Sequence, residues 1–94
     1  MRWGSKARSK GPEADYQSDI IALAKRLGYR AFHVHNSRRS EPGWPDLVLA
    51  SVRRRRVVFA ELKSESGVVQ AAQEWWMKAL RSAGLEVYLW RKGT

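Results

Sequence analysis

Ninety-four residues allow one small domain with a modest core, marginal by itself. The 18 Lys plus Arg against 9 Asp plus Glu leave a net charge of +9, which in so short a chain favours a polyanionic partner, nucleic acid or an anionic membrane. Cysteine is absent, which excludes disulfides and thiolate–zinc sites, and with no apolar run of spanning length and no signal-peptide core the chain reads as soluble and intracellular.

Residues 1–11 carry Arg2, Lys6, Arg8 and Lys10 among Gly and Ser without a hydrophobic period, the pattern of a flexible basic arm. Charge alone leaves two uses open, a solubilising tail or an arm in which Lys6, Arg8 and Lys10 contact DNA. Residues 12–94 read as one domain. Pro12 suits a first helical position, and Glu13 and Asp15 suit the positive end of the helix dipole. Tyr16, Ile20, Leu23, Ala24 and Leu27 then repeat at helical spacing, Ile21 broadens the stripe, and Gly28-Tyr29 closes the helix. Glu13 and Gln17 share a face, as on any exposed helix start.

Tyr29 to His35 sets Phe32 and Val34 against Arg30, His33 and His35, a strand with one wetter face. The two histidines lack a third imidazole or thiolate for zinc, which favours structural or substrate-contacting roles. Asn36 to Trp44, with Arg38, Arg39, Pro42 and Gly43, cannot extend the strand and reads as a substrate-binding loop.

Two short apolar runs follow, Leu47-Val48-Leu49-Ala50 and Val57-Val58-Phe59-Ala60, joined through Arg53-Arg54-Arg55-Arg56. They predict a β-hairpin in which residues whose numbers sum to about 107 lie opposite each other. Asp46 and Glu61 then become neighbours with Cβ atoms roughly 5 Å apart, and Lys63 projects from the same face as Glu61. Two carboxylates brought together at strand ends repel and lose solvation. A hard divalent cation such as magnesium removes that difficulty and points to phosphodiester chemistry. The cationic run at the hairpin tip reads as a solvated turn, at the opposite end of the strands from Asp46 and Glu61.

Ser64 to Val68 reads as a turn. Val69 to Ala83 resumes helical spacing, with Ala72, Trp76, Ala79 and Leu80 on one side and Gly84 at the end. Leu85 to Trp90 alternates as a last strand, and a strand–helix–strand unit implies a parallel crossover. The predicted fold class is α/β in the order αβββαβ: three strands in an antiparallel meander, a fourth parallel to the third, and a helix covering each face of the sheet.

Pro45-Asp46 followed by Glu61-Leu62-Lys63 resembles the signature of the PD-(D/E)XK nucleases. With Glu13 and Gln17, His33 and His35, Gly43, Gly67 and Gln73-Glu74-Trp75, the chain resembles the small VRR-NUC (virus-type replication-repair nuclease) family from about Glu13 to Arg91. The resemblance implies the restriction-endonuclease-like core already read from the pattern. It also implies a DNA endonuclease with Mg²⁺ or Mn²⁺ held by Asp46, Glu61, the Leu62 carbonyl and Glu13. Lys63 would orient or deprotonate the attacking water or stabilise charge at phosphorus, and Gln73 would support the lysine or the water. Members of the stand-alone viral and bacterial type look like Holliday-junction resolvases in forming twofold dimers, which implies a homodimer on branched DNA. Trp75, Trp76 and Trp90 are the candidate interface residues, five tryptophans being more large apolar surface than one small core absorbs. The rival readings are a non-catalytic nucleic-acid-binding module and an RNA-directed enzyme.

Overall fold

Helix α1 (Pro12–Arg26) opens at the proline, as its fixed φ favours. The structure, a computed structural model, describes residues 12–33 and 41–93, with side chains from Asp15 onward. The expected arm at 1–11, with Lys6, Arg8 and Lys10, and the loop residues Arg38 and Arg39 lie outside the described residues. Tyr16, Ile20, Ile21 and Ala24 pack onto the sheet, while Leu23 and Leu27 stay about half exposed at the rim. The helix closes as the sequence predicts: Gly28 N–H donates to the Lys25 carbonyl (3.0 Å) and Tyr29 N–H to the Ala24 carbonyl (2.9 Å).

Four strands form one sheet in chain order, β1 (Arg30–His33), β2 (Leu47–Ser51), β3 (Arg56–Lys63) and β4 (Glu86–Arg91). The first three are antiparallel and β4 runs parallel to β3, with α2 (Ala71–Ser82) as the crossover. Leu47 pairs with Ala60 and Leu49 with Val58, the register expected from the hairpin. Leu47, Leu49, Val58, Ala60 and Leu62 meet α1 on one face. Each such Leu or Val side chain, fully buried, contributes about 1.5–3 kcal/mol. Buried Val87 lies on the opposite face with Phe59 and Glu61, where α2 lodges Met77. No helix among the described residues is long and apolar enough to cross a membrane.

Several boundaries and faces differ from the sequence reading. Helix α2 starts at Ala71, not Val69, because Gln70 is extended (φ −80°, ψ 157°) and its N–H is taken by the Gln73 side chain at 2.8 Å. Strand β3 continues through Lys63, because β4 gives Glu61, Leu62 and Lys63 parallel partners after β2 has ended. In β1 the faces differ from the reading: Phe32, two residues from Arg30 and so on the same face, is 61% exposed with it, while His33 is half-buried. Pairing places Ala31 opposite Leu49 beneath α1, so parity turns Phe32 to the other face. That face is not fully covered, since α2 packs chiefly on β4, leaving Ala50 and Val57 exposed beside Phe32.

The four arginines at the β2–β3 turn divide. Arg54 Nη1 donates to the Leu27 carbonyl at the end of α1, and its guanidinium lies 5.6 Å from the Tyr29 ring centroid. Arg56 makes a two-pronged contact with Glu86, Nε to Oε2 at 2.9 Å and Nη2 to Oε1 at 2.7 Å. These bonds, with a further one from the Tyr88 hydroxyl, hold the Glu86 carboxyl below the ordinary glutamate range. Both partners are well exposed, so solvent screens the pair and its contribution to stability is small.

Candidate active site

At the end of β2, Pro45 is fully buried and Asp46 half-buried. Asp46 precedes the strand, so the β2 backbone no longer serves β3 at this level. Its side chain extends the ladder by one rung: Oδ2 accepts the Leu62 N–H at 2.8 Å. An N–H to carboxylate bond of this length is charge-assisted, stronger than a neutral one, and it ties the first acid of the pattern to the backbone next to the second.

Glu61 is 2% exposed and Lys63 9%, on the α2 face of β3. Burying an ionised carboxylate costs several kcal/mol unless it is paired and hydrogen-bonded. Two groups offset that here. Gln73 Nε2 donates to Glu61 Oε2 at 2.8 Å, and Lys63 Nζ stands 3.9 Å from the same oxygen. Since Gln73 Oε1 accepts the Gln70 N–H, one amide both closes the start of α2 and fixes Glu61. Gln73 thus addresses the acid, whereas the expectation from resemblance placed it against the lysine or the water.

The segment leading into Asp46 is locked by features that carry no charge. Gly43 lies so close to α2 that a Cβ there would stand 2.4 Å from the Ala72 carbonyl carbon. Trp44 meets Phe59 edge-on (5.8 Å, 88°) and Trp76 likewise (4.9 Å, 78°). Such aromatic pairs contribute about 0.5–1.5 kcal/mol beyond their buried area. Sequence reasoning assigned neither this wedge nor Arg91, which pairs with Lys63 across the parallel strands and donates to the Ser64 and Gly67 carbonyls at 3.2 and 2.6 Å. Its place at the end of β4, opposite the last residue of Glu-Leu-Lys, was the available signal.

The remaining expected residues divide into those outside the described residues and those on other surfaces. Glu13 is in the first turn of α1, but its side chain is outside the described set, as are Arg38, Arg39 and His35. Among the described residues no three His, Asp or Glu side chains form a ready metal cage. Trp75 is 62% exposed, whereas Trp76 is half-buried between Trp44 and Trp75. Trp90 stacks on Tyr88 and packs against both core clusters on the α1 face.

The sequence matches the family model of the VRR-NUC domain over residues 5–91. The chain belongs to the VRR-NUC family. It is therefore a nuclease domain of the PD-(D/E)XK superfamily. Among solved structures, one VRR-NUC domain is similar at TM-score 0.69 and 24% identity, covering 82% of this chain and 81% of its own. Another VRR-NUC domain protein is similar at TM-score 0.68 and 16% identity, covering 88% of this chain and 79% of its own. Hjc from Archaeoglobus fulgidus, a Holliday junction resolvase from an archaeal hyperthermophile, is similar at TM-score 0.60 and 20% identity, covering 85% of this chain and 68% of its own. At these identities the likenesses establish the fold that this VRR-NUC domain shares with them. No curated protein matches the sequence.

Proposed function

We propose that this VRR-NUC domain is a Mg²⁺- or Mn²⁺-dependent DNA endonuclease, selective for branched DNA and active as a homodimer. The observation that carries the reading is the convergence of Asp46, Glu61, Lys63 and Gln73 at one end of the sheet, held by the Asp46–Leu62 and Gln73–Glu61 bonds. The donor set fits a hard cation: two carboxylates and the Leu62 carbonyl are all oxygen, with no thiolate to favour a softer metal. Asp46, Glu61 and the Leu62 carbonyl would hold the ion, with Glu13 as a further ligand from α1. When bound, such an ion draws charge from the scissile phosphate and makes water a nucleophile near neutral pH. Lys63, held beside Glu61, orients the attacking water or counters charge as its oxygen bonds to phosphorus and the ester P–O bond breaks. Gln73 keeps the Glu61 carboxylate aimed while the site is loaded.

Branched DNA as substrate is supported by the likeness in fold to a Holliday junction resolvase and by the net charge of +9. A twofold dimer would present two equivalent sites to the two strands of a junction.

The test is cleavage of labelled duplex, four-way junction and RNA with Mg²⁺, Mn²⁺ or EDTA. Asp46→Asn, Glu61→Gln and Lys63→Ala are each expected to lose at least about a hundredfold in rate, with DNA affinity retained. Glu13→Gln reports whether α1 contributes a ligand. Near wild-type cleavage by the Asp46 or Glu61 variant would sink the assignment, and RNA as the preferred substrate would replace its DNA half.

A further inference from the structure

The end of the sheet remote from Asp46 carries a second feature, and the division of the arginine turn exposes it. Arg54 and Arg56 are engaged within the fold, but Arg53 is not: among the described residues it forms no ion pair. It lines an open depression of about 1030 Å³ together with Lys25 from the last turn of α1 and Arg30 from the start of β1. Gly28, Tyr29, Ala31, Ala50 and Val52 complete the lining, which wraps the edge of the sheet, and no described carboxylate lines it. Three separate elements thus bring three cations to one concavity. The register supports the placement independently, since Arg30 pairs with Ala50, three residues before Arg53. Exposed like charges gathered without a described counter-charge repel, and nothing in the packing requires them, because Lys25, Arg30 and Arg53 are all exposed. What relieves the repulsion is a polyanion, and a concave basic surface focuses attraction for one.

We propose that Lys25, Arg30 and Arg53 form a second DNA contact that grips the phosphate backbone of a duplex arm away from the cut. The inference rests on DNA being the substrate and says where that DNA extends. From Asp46 to Arg53 is seven residues, mostly strand, or about 20 Å at roughly 3.3 Å per residue. With phosphates spaced 3.4 Å along each strand, that is about six base pairs from the scissile phosphate. An arm shorter than this ends before the depression; a longer one crosses it.

The experiment measures binding by the catalytically inactive Asp46→Asn protein, so that its outcome does not depend on cleavage. Arg30→Ala/Arg53→Ala is compared with Lys78→Ala/Lys92→Ala, which removes the same charge from other exposed positions, and melting curves confirm that both fold. With four-way junctions of long arms, the first pair is expected to reduce the slope of log affinity against log salt by nearly two, and the affinity by up to about sixtyfold at 0.1 M salt. On arms of about four base pairs the two double variants should bind alike. Arg30→Lys/Arg53→Lys, which keeps the charge, should restore most of the long-arm slope. Equal slopes for the two alanine pairs on long arms would overturn the proposal, as would a loss independent of arm length. So would loss of binding to phosphatidylserine vesicles with DNA binding intact, which would assign the surface to a membrane. Failure of the nuclease reading shows separately, as wild-type protein that binds junctions but does not cut them.

Discussion

Gly43→Ala tests how the site is held, because the glycine combines two demands that other positions separate. Its φ is +85°, in the left-handed region, where a side chain costs about 1 kcal/mol. The added Cβ would also stand 2.4 Å from the Ala72 carbonyl carbon, 2.5 Å from its oxygen and 2.8 Å from its Cβ. Two of those atoms are backbone, so relief requires the loop or the first turn of α2 to move, an overpacking cost of about 1–3 kcal/mol. Together these come to about 2–4 kcal/mol, a large share of the roughly 5–14 kcal/mol that stabilises a domain of this size. The melting temperature should fall by about 10–20 °C. Gly84→Ala provides the control: its φ is +89°, but nothing lies within 4 Å of the added Cβ, so it should lose only about 5 °C. Because the turn that must yield carries Gln73 toward Glu61, cleavage should also fall in Gly43→Ala and fall no further when Gln73→Ala is added. Equal melting of the two glycine variants by circular dichroism, or additive losses of activity, would refute the wedge.

Arg54→Ala should destabilise by about 1 kcal/mol, since it removes the hydrogen bond to the Leu27 carbonyl just after α1 and the contact with Tyr29. Arg55→Gly should do the opposite by about 0.5–1 kcal/mol, because Arg55 holds φ 54° without a partner that needs its side chain among the described residues; chemical denaturation distinguishes the two signs. Glu86→Gln should lower the melting temperature slightly at neutral pH. The folded carboxyl titrates below the unfolded one, so its stabilisation is present above the ordinary glutamate range and is lost as pH falls through the folded value. The difference from wild type should therefore shrink in acid and in high salt; a difference that grows in acid would contradict the Arg56 pairing. If the protein dimerises through α2, Trp75→Ala should halve the mass seen by light scattering at micromolar concentration, whereas Trp76→Ala should chiefly destabilise; a monomeric wild type would remove the dimer.

Local pattern determined most of the architecture and the identity of the charged groups. Two apolar runs of equal length, 47–50 and 57–60, on either side of the cationic tip set the hairpin register, and a slip of one residue would turn Leu47 and Leu49 out of the core. That register placed Asp46 beside Glu61 and Lys63 on the face of Glu61. The helix stops at Gly28 and Gly84 were equally local, since the bonds that close each helix span only five residues. What the sequence could not decide depended on contacts between distant segments. Phe32 reads as core, but the pairing of Ala31 with Leu49 under α1 assigned the faces of β1 and turned Phe32 outward. Gln73 reads as a helix-start residue, and only the seating of α2 on the sheet brings its amide to Glu61. Four consecutive arginines are chemically identical in the sequence. The end of α1 claims Arg54 and Glu86 of β4 claims Arg56, while Arg53 joins Lys25 and Arg30, a division made by neighbours 27 to 30 residues away for the first two and by the meeting of α1, β1 and the turn for the third.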